Sequence, residues 1–205
     1  MLRHEKMTSK LESAMPAPSD LKTAPRFDRT AAAILDAAAH VFSEQGTAAS
    51  LADVAAAGGV SRATLYRYYP NREALLKALG AHALNELASR LDDAGLERAT
   101  VKEAIERLAR ANVAVGERYA VLASEQCMPD RADAERLVGA PMRAVFERGI
   151  ASGQLRQDLP ADVLLELFAG TIMAAIKLTQ RQQLGAEEAS AAAASVFLDG
   201  ATAIT

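Results

Sequence analysis

Between Arg62 and Tyr68 the chain reads RATLYRY, placing two guanidinium groups, two phenols and a threonine hydroxyl close together. Guanidinium forks match anionic oxygens two at a time, and phenols and hydroxyls add single hydrogen bonds. Such a set holds an anion; it does not make or break bonds. Residues 58–80 carry a net +3, from Arg62, Arg67, Arg72 and Lys77 against Glu73. The whole chain carries −3, so a cationic patch sits early in an otherwise acidic protein. A local patch suffices for a polyanion, because affinity follows the charges neutralised rather than the global balance.

No second reactive set accompanies it. His4, His40 and His82 are isolated, and Cys127 has no partner for an internal disulfide. With no Cys/His cluster, a structural zinc site is not expected. Gly58-Gly59 follows a helix and lacks the lysine of a phosphate-binding loop. The expectation is therefore a protein that is not an enzyme, with no catalytic residues, metal or cofactor.

The elements that position the cluster are readable from spacing. Half of the 205 residues are hydrophobic, only 4% are aromatic, alanine dominates and no segment alternates for long; these features predict an all-α fold. No apolar run is long enough to span a membrane. The N-terminus lacks the apolar core of a signal peptide, so a cytoplasmic location is expected. Residues 1–25, with Pro16, Pro18 and Pro25, read as a disordered arm. A helix is predicted over Phe27–Gln45, with Ile34, Leu35, Ala38, Val41 and Phe42 on one stripe and Gly46 as its C-cap. Ser50 and Asp53 have capping-box spacing for a helix over Leu51–Ala57. Gly58-Gly59 permits positive φ and a sharp turn. Ser61 then caps a helix over Arg62–Tyr69, Pro70 stops it, and Asn71 caps the next. Val60, Leu65 and Tyr69 fall inward. Arg62, Ala63, Thr64, Tyr66, Arg67 and Tyr68 are left outside, and Ala63 is small enough for close backbone approach to a groove. Two short helices on a tight glycine turn, behind a longer helix, form a helix-turn-helix unit.

VFSEQG, followed by SLADVAAAGGVSRATLYRYYPNREALL, resembles the N-terminal domain of the TetR/AcrR family of transcriptional regulators over about residues 27–76. Gly58 stands where that family usually has Ala, which predicts a looser end to the second helix. The resemblance implies DNA contact by Ser61, Arg62, Thr64, Tyr66, Tyr68 and Arg72, and the outward positions Ala63 and Arg67 join this set. Arg62 and Thr64, near the start of their helix, are expected at base edges; Tyr66, Tyr68 and Arg72 are expected at phosphates. Ser50 joins the set because backbone N–H groups at the starts of the second and fourth helices can hold phosphate.

From Arg72 onward the chain reads as a helical bundle. One long stripe carries Leu75, Leu76, Leu79, Ala83, Leu87 and Leu91. A helix over Val101–Glu125 follows, then a short one over Asp130–Val138 and another from Pro141. A helix over Pro160–Gln183 carries apolar residues too widely spread for one core contact, and a small-residue stripe runs over Ala186–Thr202. That pairing predicts a homodimer through the last two helices. The family holds a small-molecule pocket in this half; candidate lining residues are Leu87, Tyr119, Cys127, Met128, Met142, Phe146, Phe168 and Met173, with an apolar effector. The expected organisation is an arm (1–25), a helix-turn-helix DNA-binding domain (26–71) and an effector-binding and dimerisation domain (72–205). The expected function is a ligand-responsive repressor on a double-stranded, pseudo-palindromic operator; the alternative is a DNA-binding protein with no effector.

Overall fold

The computed structural model describes residues 24–125, 127 and 129–202, and the regular elements among them are helices. The expected arm lies outside the described residues except for Ala24 and Pro25, which open α1 (Ala24–Gln45). Proline suits a first turn, where its missing N–H has no helical partner. A 3-10 turn, Gly46–Ala48, leads to α2 (Leu51–Ala57), α3 (Arg62–Tyr68) and α4 (Arg72–Asp93). Tyr69 lies just outside α3 in extended geometry, as the residue before a proline prefers.

The second half holds α5 (Val101–Arg118), α6 (Ala120–Ser124), α7 (Arg131–Ala134), α8 (Ala140–Ala151), α9 (Ala161–Gln180) and α10 (Ala186–Ala201). Three boundaries in this half differ from the sequence reading. The helix expected to reach Glu125 breaks at Tyr119, at φ −112° and ψ 25°; the apolar spacing carries no mark of this. The break expected before Pro141 is absent. A π-helical stretch, Glu135–Gly139, joins α7 to α8, and its wider turn has already left the i→i−4 ladder where the proline arrives. The helix expected to reach Gln183 stops at Gln180, and Gln182 takes a left-handed φ of 55°.

Two apolar clusters form. A head cluster joins α1 (Ile34, Ala38, Val41, Phe42), α2 (Val54, Ala55) and Leu65 of α3 to Leu75, Leu76 and Leu79 of α4. It also takes Val115, Tyr119, Val121 and Leu122 from the second half, so the boundary expected at 71/72 is crossed by its own core. A body cluster joins Leu91, α5, α8, α9 and α10. At its centre Phe146, Phe168 and Phe197 meet with ring centroids 5.2–5.7 Å apart, two of the three pairs edge to face, an arrangement aromatic quadrupoles favour. Gly116 lets α5 and α9 approach, since a Cβ there would overlap Ile176.

Candidate nucleic-acid interface

α3 is seated by local chemistry. α2 opens on a capping box: the Ser50 hydroxyl accepts from Asp53 N–H at 3.2 Å, and the Asp53 carboxylate accepts from Ser50 N–H at 2.9 Å. At the other end, Gly59 takes φ +62°. Val60 N–H reaches Ala55 carbonyl at 3.0 Å and Gly59 N–H reaches Ala56 carbonyl at 3.1 Å, a Schellman closure. The looseness expected from Gly58 is not found: it holds right-handed helical geometry (φ −78°, ψ 0°) and its N–H donates to Val54 carbonyl.

Ser61 caps α3 by accepting from Thr64 N–H at 3.1 Å, and the two hydroxyls lie 2.9 Å apart. Leu65 is fully buried and anchors the helix on the head. Arg62, Ala63, Tyr66 and Arg67 are exposed together on the outer face. Thr64 and Tyr68, half-buried, form with Ser61 a flanking stripe at i, i+3 and i+7. Arg67 lies over the Tyr68 ring at 5.5 Å. Tyr66 is 50% exposed, which settles it as a surface residue rather than core. Tyr69 is buried, its hydroxyl donating to Ala31 carbonyl at 3.4 Å, and burial pushes its phenol up. The outer face thus offers two cationic forks and a phenol on a rigid, capped helix.

Two residues of the expected set have partners within the protein. Ser50 commits its hydroxyl and N–H to Asp53, and those bonds hold the Asp53 carboxyl below the usual carboxylate range. A carboxylate therefore occupies the start of α2, where the sequence reading puts phosphate. Arg72 turns inward: it donates to the Ala49 and Thr47 carbonyls and to Glu125, and lies over Phe42 at 4.8 Å. Its charge serves the fold because three acceptors from two segments converge on it, none of them near in sequence.

The pocket candidates do not come together. Phe146 and Phe168 are fully buried in the body core with Met142 close to fully so. Leu87 bridges the two clusters, and Tyr119 and Cys127 belong with the head cluster. Met173 points outward from α9, 46% exposed; Met128 lies outside the described residues. Grooves on the surface lie elsewhere, one between α5 and α10 (Lys102, Arg110, Ser195, Asp199) and one beside the α4–α5 loop (Asp92, Gly95, Pro141, Arg148). Among the described residues no group of His, Cys, Asp and Glu could hold a metal ion.

Sequence reasoning missed the polar junction between head and body. Glu86 of α4 accepts from Tyr119 hydroxyl at 2.7 Å, from Arg118 at 2.9 Å and from Arg90 at 2.9 Å. Arg118 also bonds Asp36 of α1 at 2.9 Å, and His82 lies 3.4 Å from the same carboxylate. The Glu86–Arg90 pair, at i and i+4, was readable; the long-range partners were not. Burial pushes the Glu86 carboxyl up, but the Tyr119 hydroxyl and the Arg90 and Arg118 guanidiniums outweigh it and hold it below its ordinary value of 4.5. A depressed carboxyl stabilises the fold above its unfolded value and loses that contribution as pH falls through the folded one. Urea unfolding should therefore show the native chain losing more stability below pH ~4.5 than a Glu86→Gln protein, with the two running parallel above it. Equal slopes would remove the role assigned to this carboxylate.

Comparison with known proteins agrees with this arrangement. The family model described as "Bacterial regulatory proteins, tetR family" matches residues 34–79. The HTH-type transcriptional repressor LfrR of Mycolicibacterium smegmatis is 50% identical over 72 residues, a match spanning 35% of either chain. The HTH-type transcriptional regulator NfxB of Pseudomonas aeruginosa is 30% identical over 161 residues, covering 75% of this chain and 85% of NfxB. The crystal structure of LfrR in complex with proflavine superposes with a TM-score of 0.70 at 25% identity, covering 86% of this chain and 99% of that one. No helix among the described residues is long and apolar enough to cross a membrane. The chain belongs to the tetR family of bacterial regulatory proteins and is a DNA-binding helix-turn-helix transcription regulator, not an enzyme.

Proposed function

We propose that the protein is a homodimeric, ligand-responsive repressor whose α3 enters the major groove of each half of a pseudo-palindromic operator. Arg62 is the base-reading fork and Thr64 its neighbour on the flank. Tyr66, Arg67 and Tyr68 meet phosphates, Ala63 permits close approach, and Ser61 holds the helix start. The observation that carries the regulatory part is α4. It runs unbroken from Arg72 to Asp93, burying Leu75, Leu76 and Leu79 in the head and Leu91 in the body. A ligand that shifts the body's end of such a rod shifts the reading head with it.

Dimerisation is supported by the apolar side chains that α9 and α10 leave outside a single chain: Val163, Leu167 and Met173 on one, Val196 (68% exposed) on the other. Gly170 and Gly200, on the same helices, face open space, so a second copy can approach closely. LfrR, a repressor by name, holds proflavine in its solved structure, which makes this planar aromatic cation the first ligand to try alongside apolar compounds. Fluorescence anisotropy with duplex DNA from upstream of the coding sequence tests the reading. The effector should weaken operator binding by roughly 5- to 150-fold.

One observation favours a second reading. The body core around Met142, Phe146 and Phe168 is filled, as it would be in a regulator without an effector. Operator affinity unchanged across the ligand panel would select it.

A further inference from the structure

The cation that opens α4 is half-buried, its guanidinium engaged by the protein itself. One Arg72 nitrogen, Nη1, donates to the Ala49 carbonyl; the other, Nη2, donates to the Thr47 carbonyl at 3.2 Å and to Glu125 Oε1 at 2.7 Å. The guanidinium lies over the ring of Phe42, itself buried in the head. Four segments therefore meet on one group: α1, the turn ahead of α2, the start of α4 and the end of α6. Three of the four belong to the head. Glu125, just after α6, comes from the second half of the chain, and of these three acceptors it alone carries charge.

We propose that Glu125 is a positioning residue for DNA binding, holding Arg72 against the two carbonyls that fix where α2 begins, and so setting the pose of α3. This rests on the operator-binding reading above. Thr47 and Ala49 flank the end of the 3-10 turn, and Ser50 caps α2 immediately afterwards. α3 follows across the closed Gly58–Val60 turn, so a displaced α2 carries α3 with it. Neutral carbonyls bind a guanidinium more weakly than a carboxylate does. Without Glu125 the side chain is free to leave them for another anion, which in a DNA complex is a phosphate. The segment after α6, whose Val121 and Leu122 already pack in the head cluster, thereby gains a hold on the start of α2 that does not pass along the α4 rod.

The test uses the full chain with Glu125→Ala, Glu125→Gln, Arg72→Ala and the Glu125→Ala/Arg72→Ala double variant. Operator affinity is measured by anisotropy over a salt series. Glu125→Ala should weaken binding roughly 5- to 30-fold, with no change in the slope of affinity against salt. Glu125→Gln, which keeps an acceptor, should lose less. The double variant should lose no more than the worse single one, because both remove the same clasp. Tighter binding by Glu125→Ala, with a slope steeper by about one phosphate contact, would overturn the proposal and make Arg72 a DNA cation that Glu125 restrains. Unchanged affinity would also overturn it. A readout without DNA separates the two levels: amide hydrogen exchange over residues 47–53 should quicken in Glu125→Ala while α9 is unaffected. If the native chain bound no upstream duplex, the operator reading would fall, and the clasp would still stand or fall on that exchange.

Discussion

An Arg62→Ala, Thr64→Ala double variant should bind its operator about 30- to 1000-fold more weakly, a loss of roughly 2–4 kcal/mol, while binding to unrelated duplex barely changes. Arginine at a base edge in the major groove discriminates by about 1–3 kcal/mol, and the threonine adds a smaller share. The fold should survive. Both replacements raise helix propensity, and the Ser61 cap is retained because it accepts from the backbone N–H of position 64. Competition anisotropy with specific and scrambled duplexes measures the effect. Equal losses on both duplexes, with a shallower salt dependence, would place Arg62 on a phosphate and transfer the reading role elsewhere on the face.

Phe168→Ala should cost about 3–5 kcal/mol of stability, the range for removing a large aromatic from a packed core. For a chain of this size that corresponds to a fall in Tm of roughly 6–20 °C. Phe168 is fully buried and touches Phe146 and Phe197 at once, so its loss opens a space that two rigid rings cannot close. Differential scanning calorimetry reads it directly. A loss below about 1 kcal/mol would mean that the body already contains slack, and would strengthen the case for a ligand space around Met142 and Phe146.

What the chain revealed in advance, and what it hid, divides by the reach of the interactions. Ser50 with Asp53, Gly59, Ser61 with Thr64, Pro70 and Asn71 act over a few residues, and each stands where the spacing placed it. α2 was legible to the residue for this reason, and α3 to within one. The exposure of Val163 and Leu167 on α9 was legible too, because that helix carries more apolar surface than one core face accepts; the last helix read only as a small-residue stripe, and the exposure of Val196 was not marked. The intramolecular partners of Arg72 were hidden: its acceptors lie 23, 25 and 53 residues away. Tyr119, Phe146 and Phe168 have the composition of a binding pocket, but they are divided between the head and body clusters. Met173 looks like a pocket methionine and sits outside. Side-chain chemistry alone does not say which side of a helix will meet a neighbour; tertiary packing decides it.

The sharing of α4 between the two cores bears on how such a regulator can be taken apart and recombined. A chimera joined at residue 71 would strip Leu65 and Phe42 of Leu75, Leu76 and Leu79, exposing the reading unit's own interior. The portable unit runs at least to Leu87, where the side chain packs on both cores, and Arg118, Tyr119, Leu122 and Glu125 of its native body help complete it. A new effector specificity is therefore more readily acquired by change within the body than by exchange of bodies beneath a fixed head. The same sharing ties a head's operator preference to the partner it folded with.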